Sequence, residues 1–215
     1  MKTTPTTTLW ECSEGQGGAR AAIELLDRIK WEKYAREIMR IEEESYEPAR
    51  RDSRQFFART IRAPRGVSLV SLRGEQVVGF AFAGPLELFP EVQGAQTDPE
   101  WGKFSTLYSA DVTVAAPYRG QGIGFQLKKR QTEQARALGY RFVAGRNRVA
   151  LASAMMRITA AFGAYQVQYF DNGYGSGVEP GGSVYYHIDL DPGAGVGPGA
   201  GRDSRERQPW QKPNR

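Results

Sequence analysis

An α/β fold built on a mixed central sheet flanked by helices is predicted by three observations. The first quarter of the chain carries apolar residues at helical spacing, with Trp31, Ala35, Ile38 and Ile41 on one stripe. Two β-rich arms, "VSLVSL" and "QVVGFAFA", flank Arg73-Gly74-Glu75, which is a hairpin signature. From Leu107 onward the period switches repeatedly between strand and helix, as in a sheet fed by crossover helices.

The helical stripe reads as one helix from Ala22 to Tyr46, closed by Pro48. A second helix is expected after Asp52 or Ser53, either of which can cap it; it carries Phe56, Phe57 and Ile61 inward and stops before Pro64. After the hairpin, "GPLELFPEVQGAQTDPEWGKFS" is too polar and proline-broken for regular structure. A strand from Leu107 to Val114 leads through a glycine turn into a helix from about Gly122 to Leu138. A strand over Arg141–Ala144 then passes Asn147 to a helix over Ala150–Ala161. The last pair, "AYQVQYF" and "SVYYHIDL", is joined by a glycine-rich connection. Residues 1–19 and the Gly/Pro/Arg-rich tail 191–215 lack the pattern of any packed element and are expected to be disordered, which leaves one domain over 20–190.

With 215 residues the chain can bury a substantial core. It has no signal-peptide pattern at its start and no apolar run of membrane-spanning length, so a cytoplasmic protein with no membrane partner is expected. One cysteine, Cys12, and one histidine, His187, rule out a disulfide and a histidine–cysteine metal cluster, and no metal is expected. The net charge is +5, but the basic residues are divided between the tail and the second helix and are not interleaved with aromatics. That distribution argues against nucleic acid and for a small anionic ligand or a solvated surface.

The distinctive stretch is "PYRGQGIG", Pro117–Gly124, three glycines in five residues between a strand and a helix. A helix N-terminus presents unpaired amide hydrogens and a positive dipole, so its natural guest is a phosphate. A P-loop would put Lys and Ser or Thr at the helix start, where Phe125 and Gln126 stand. A Rossmann site would put an acid at the end of the next strand, which reads "YRFVAGRNR" and holds none.

Arg119-x-x-Gly122-x-Gly124 resembles the Q/R-x-x-G-x-G/A loop of the GNAT superfamily, the GCN5-related N-acetyltransferases. "ADVTVAAPYRGQGIG" is similar to that family's strand–loop–helix core, and Asn147, the helix after it and Phe162-Gly163 fall where the family has its Asn and its aromatic–glycine turn. The resemblance covers Trp31 to Leu190, about three quarters of the chain. It implies a single domain whose parallel strands splay at an acetyl-coenzyme A site. The amides of Arg119, Gly120, Gln121, Gly122, Ile123 and Gly124 would ring the pyrophosphate, with Arg119, Lys128, Lys129 and Arg130 screening phosphate charge. Backbone groups of Val112, Thr113 and Val114 would bind the pantetheine arm and polarise the thioester carbonyl. Asn147 would bond the same arm, or else cap the helix at Ala150.

The implied reaction is attack by an amine on acetyl-coenzyme A in a ternary complex, which requires no enzyme nucleophile. The alternative is a coenzyme A-binding sensor of the same fold. Many family members place a Tyr four residues before the turn glycine to protonate the leaving thiolate; Thr159 stands there instead. Tyr165 and Ser153 are possible substitutes, Asp111 and His187 are candidate bases, and none is assigned. The acceptor, a small-molecule amine or a peptide or protein amine, would meet Glu42, Glu43, Glu44, Glu47, Glu87, Glu91, Asp98, Glu100, Asp171 and Glu179, with aromatic walls from Tyr46, Phe89, Trp101 and Tyr174. The bland reading of the "EEES" run is a solvated acidic face. A monomer or homodimer is expected.

Overall fold

The computed structural model describes residues 10–11, 21–149, 153–171 and 181–191. The chain divides into two compact units, Met1–Gly84 with Ala110–Gln131 and Pro85–Ser109 with Thr132–Arg215. Strand order in the first is β1 (Trp10–Glu11), β2 (Ala22–Leu25), β3 (Val67–Arg73), β4 (Gln76–Pro85), β5 (Thr106–Val114), and in the second β5, β6 (Phe142–Arg148), β8 (Ser183–Asp189), β7 (Tyr165–Phe170), strand β5 giving its last five residues to the first unit and its first four to the second. The expected mixed sheet is present. The readings for residues 1–19 and 191–215 lie outside the described residues, apart from Trp10–Glu11 and Asp191, as do Cys12, Tyr174 and Glu179. No helix among the described residues is long and apolar enough to cross a membrane.

In the first unit, the segment expected to open the first helix is a strand. Residues Ala22–Leu25 form β2, antiparallel to β3 (Val67–Arg73), with Ile23 opposite Ser71. Helix α1 begins only at Arg28, because Asp27 accepts a hydrogen bond from the Lys30 amide at 2.8 Å and so caps the first turn. It runs to Ser45 and buries Trp31, Tyr34, Ala35, Ile38, Ile41 and, on the same stripe, Glu42. Ser53 caps α2 (Arg54–Arg62) through the Phe56 amide at 3.1 Å. The hairpin of β3 and β4 (Gln76–Pro85) closes through a two-residue turn in which Gly74 has φ +61°. Both arms are buried along almost their whole length, and Phe57, Phe80, Phe82 and Trp31 meet over them, Phe57 and Phe82 at 4.5 Å between ring centres. Strand β5 then leads through the glycine turn into α3 (Ile123–Ala137).

In the second unit, β5 pairs in parallel with β6 (Phe142–Arg148) over Thr106–Tyr108 and Phe142–Ala144. Strand β6 is longer than expected and includes Asn147, because β8 (Ser183–Asp189) pairs with it out to Arg148. Helix α4 (Ser153–Ala161) and β7 (Tyr165–Phe170) follow, with β7 antiparallel to β8. The stretch from Leu86 to Trp101 lacks strands and long helices, as expected, but it is not loose. Successive turns link Phe89 to Val92, Val92 to Ala95, Ala95 to Asp98 and Asp98 to Trp101 by backbone bonds of 3.0–3.1 Å.

Candidate functional site

The glycine turn lies in the first unit. Gly120 and Gly122 have φ of +77° and +79°, in the left-handed region that side chains other than glycine's disfavour. Both are exposed, and a Cβ on either would meet no atom of the described residues within 4 Å. The backbone therefore requires glycine for its conformation, while no described residue fills the space in front of it. The Gln126 amide bonds the Gly122 carbonyl at 3.0 Å, which places the turn at the N-terminal, amide-presenting end of α3. Arg119 is committed differently from expectation. Its guanidinium donates to the Val114 carbonyl at 2.9 Å and to the Ser45 hydroxyl at 3.1 Å, tying the turn to the end of β5 and to α1.

Lys128 cannot screen a phosphate from where it stands. It is fully buried on the inner face of α3, and its ammonium bonds Gln131 at 3.0 Å. Burial lowers its pKa to about 7, against an upward pull from Asp111. Lys129 is exposed and Arg130 half-buried.

Along the last part of β5, Asp111 and Thr113 are buried while Val112 and Val114 are half-buried, so the polar residues point inward and the valines are not core positions. Asp111 meets a network that sequence reading did not assemble. The Thr113 hydroxyl donates to Asp111 Oδ1 at 2.7 Å, and the Tyr46 hydroxyl reaches Asp111 Oδ1 at 3.1 Å and Thr113 at 2.6 Å. Glu42 is 1% exposed and accepts the Asp52 amide at 2.8 Å on Oε1, while its Oε2 and Asp111 Oδ2 have no donor. Carboxylate oxygens of Glu42, Asp52 and Asp111 lie within 4.8 Å of one another. Two full charges at 4.8 Å repel by about 3 kcal/mol at an effective dielectric of about 20, before any cost of burial. Burial first, and then the Asp111 charge, push the Glu42 carboxyl up to about 9. Burial also raises Asp111, although hydrogen bonds from Thr113, Glu42 and Tyr46 and the Arg50 charge oppose it. Tyr46 is raised by burial and by the Asp111 charge. The other members of the acidic run, Glu43 and Glu44, are exposed as a solvated face would be.

In the second unit the remaining candidates are engaged in structure. His187 Nε2 and the Tyr185 hydroxyl both reach Asp98 Oδ2 at 2.6 Å, and Asp98 Oδ1 accepts the Glu100 amide at 2.8 Å. Burial pushes the Asp98 carboxyl up, but these bonds outweigh it and hold it below the ordinary carboxylate value. Tyr165 is half-buried and its ring meets that of His187 at a steep angle of 71°, centres 6.0 Å apart. Thr159 is fully buried and its hydroxyl turns back to the Met155 and Met156 carbonyls at 3.0 and 3.2 Å, so it is no replacement for an acid facing the thiolate. Asn147 donates to Thr159 at 3.4 Å from within β6, which removes the helix-capping reading.

Several acids expected to face an acceptor hold the chain instead. Glu87 Oε1 accepts the Gly102 and Phe104 amides at 3.0 and 2.9 Å, and Glu100 accepts the Ser105 hydroxyl at 2.8 Å. Phe89 is a core residue, its ring 5.1 Å from that of Tyr108.

Known structures share this fold. An N-acetyltransferase from Staphylococcus aureus Mu50 superposes with a TM-score of 0.62 at 20% identity, over 79% of this chain and 98% of that one. The ribosomal-protein-S18-alanine N-acetyltransferase of Escherichia coli gives 0.60 at 14% identity, over 79% and 94%. yncA from Salmonella typhimurium, solved with its cofactor acetyl-CoA, gives 0.58 at 18%, over 81% and 96%. At these identities the likeness is one of fold. No curated protein matches the sequence. The model of the acetyltransferase (GNAT) family matches residues 31–153, more than half of the chain, from within α1 through β6. The chain belongs to the GNAT acetyltransferase family.

Proposed function

We propose that this protein transfers the acetyl group of acetyl-coenzyme A to a primary amine by direct attack in a ternary complex. The observation that carries the reading is the exposed turn at Gly120 and Gly122, left-handed and, among the described residues, open in front, at the N-terminal end of α3. The pyrophosphate lies against the amides of Arg119 to Gly124, with charge screening from Lys129 and Arg130. Val112, Thr113 and Val114 offer backbone groups to the pantetheine arm, as does Asn147 through its amide or its main chain. Arg119 contributes its amide while its side chain holds the turn in place. A small molecule or a peptide can supply the acceptor amine.

A second reading, a coenzyme A sensor without turnover, is favoured by one observation: Thr159 is buried and bonded where relatives place an acid. Incubation with acetyl-coenzyme A and a panel of polyamines, amino-acid amines and peptide N-termini, following free thiol, separates the two. Amine-dependent thiol release is expected. Binding measured by calorimetry with no release from any amine would favour the sensor.

A further inference from the structure

The glycine turn is held in place by its side chains. Arg119 is tied to Val114 and Ser45, and the residues flanking the Arg119–Gly120 step are held from another direction. The Tyr118 hydroxyl donates to Gln76 Oε1 at 2.9 Å, and Gln121 Oε1 accepts from Arg73 Nη2 at 3.0 Å. Gln121 also donates to the Pro117 carbonyl at 3.3 Å, which closes the turn on itself. The Arg73 guanidinium lies over the Tyr118 ring, 5.2 Å from its centre. Arg73 and Gln76 face one another as the pair that closes the β3–β4 hairpin, so a single hairpin end grips both flanks of the step. Arg73 is half-buried and its Nε is shut off from solvent, so that edge of the fork cannot meet a ligand.

Glycine has more backbone freedom than any other residue, so a ligand that meets Gly120 and Gly122 loose must order them first. A turn already ordered spares the ligand that cost. We infer that Arg73 and Gln76 are positioning residues for the pyrophosphate of coenzyme A, holding the turn ready through Gln121 and Tyr118 without touching the ligand. The inference rests on the acetyl-coenzyme A reading of the turn. Arginine suits the task because its planar fork stacks on a ring and bonds a side-chain oxygen at the same time. A lysine ammonium, a point charge on a flexible stem, does not combine the two.

The test is calorimetry of coenzyme A binding to the full-length protein, with Tm recorded for each variant. Arg73→Ala and Gln121→Ala should each weaken binding about tenfold, and the double variant no further than the weaker single one. Arg73→Lys should weaken it nearly as much as Arg73→Ala, since charge alone does not hold the turn. Dephospho-coenzyme A, which keeps the pyrophosphate but lacks the 3′-phosphate, should lose the same factor against the same variants. Tm should change little, because the substituted side chains lie at the surface. Wild-type affinity in Arg73→Ala overturns the inference and leaves the pair a closure of the hairpin alone. So does an Arg73→Lys protein that binds like wild type, or a double variant whose loss is the product of the single losses, because Arg73 would then act on the ligand by its charge. A loss seen with coenzyme A and not with the dephospho form overturns it as well, since Arg73 would be meeting the 3′-phosphate. Wild type that binds neither nucleotide overturns the acetyl-coenzyme A reading itself, and with it any site for Arg73 to position.

Discussion

Among the described residues two buried acidic centres stand out, and they are built on opposite principles. Around Asp98 every partner is a donor or an aromatic ring: His187, Tyr185 and the Glu100 amide supply bonds, and Phe142 packs on His187 at 5.1 Å. Around Asp111 the partners include two more acids and a buried lysine. The first centre is satisfied and holds its carboxylate below the ordinary value; the second is crowded and raises its carboxyls above it. Satisfied buried acids stabilise a fold, whereas crowded ones are tolerated where a proton has to be held or moved. The glycine turn falls on the same side of this contrast as the crowded centre, since it too spends conformational strain on open space.

The pH dependence of the two centres should run in opposite directions. The stabilisation from Asp98 is present above its ordinary value of 3.8 and is lost as pH falls through the lower folded value. The contribution of Glu42 is full below 4.5, where it is protonated folded or unfolded, and declines as pH rises toward about 9, because only the unfolded chain releases the proton readily.

The largest expected effect is on the satisfied side. Asp98→Ala strands His187 and Tyr185 without an acceptor and should cost about 3–5 kcal/mol, roughly ten degrees in Tm. A melt within two degrees of wild type would show that the centre is not a structural pin. On the crowded side, Lys128→Met should stabilise by about 2–3 kcal/mol below pH 7, where the buried amine must otherwise be charged, with the gain shrinking as pH rises from 7 toward 10.5. Thermal melts at several pH values check this, and an equal or lower Tm for the variant at pH 6 would contradict it. The smallest expected effect is at the turn. Gly122→Ala should weaken acetyl-coenzyme A binding about tenfold by calorimetry, near 1.4 kcal/mol, while the left-handed φ costs the fold a further ~1–2 kcal/mol. Unchanged affinity would remove the turn from the binding site.

These contrasts also explain what could be read before folding. The turn was legible because its chemistry is local: strand, three glycines and helix are contiguous. The first strand was not, since Ala22–Leu25 continues an apolar stripe and only the Asp27 cap divides it from the helix. Glu42 lay within an acidic run that reads as solvated surface, although it falls four residues after Ile38 and seven after Ala35, in register with the buried face. Lys128 had the same kind of signal: it sits beside Leu127 and three before Gln131, both buried. Asp98 had none, because its partner His187 is 89 residues away and no local pattern foretells that pairing.

The contrast between the centres is tested most directly by one isosteric substitution made in each, Asp98→Asn and Asp111→Asn, with Tm measured on both at pH 7. Asp98→Asn should melt well below wild type, because an acceptor shared by His187 and Tyr185 loses its charge. Asp111→Asn should melt at or above wild type, because a buried carboxyl with one oxygen lacking a donor is replaced by a neutral amide. An Asp111→Asn protein that melts as far below wild type as Asp98→Asn would mean that both centres are structural pins of the same kind.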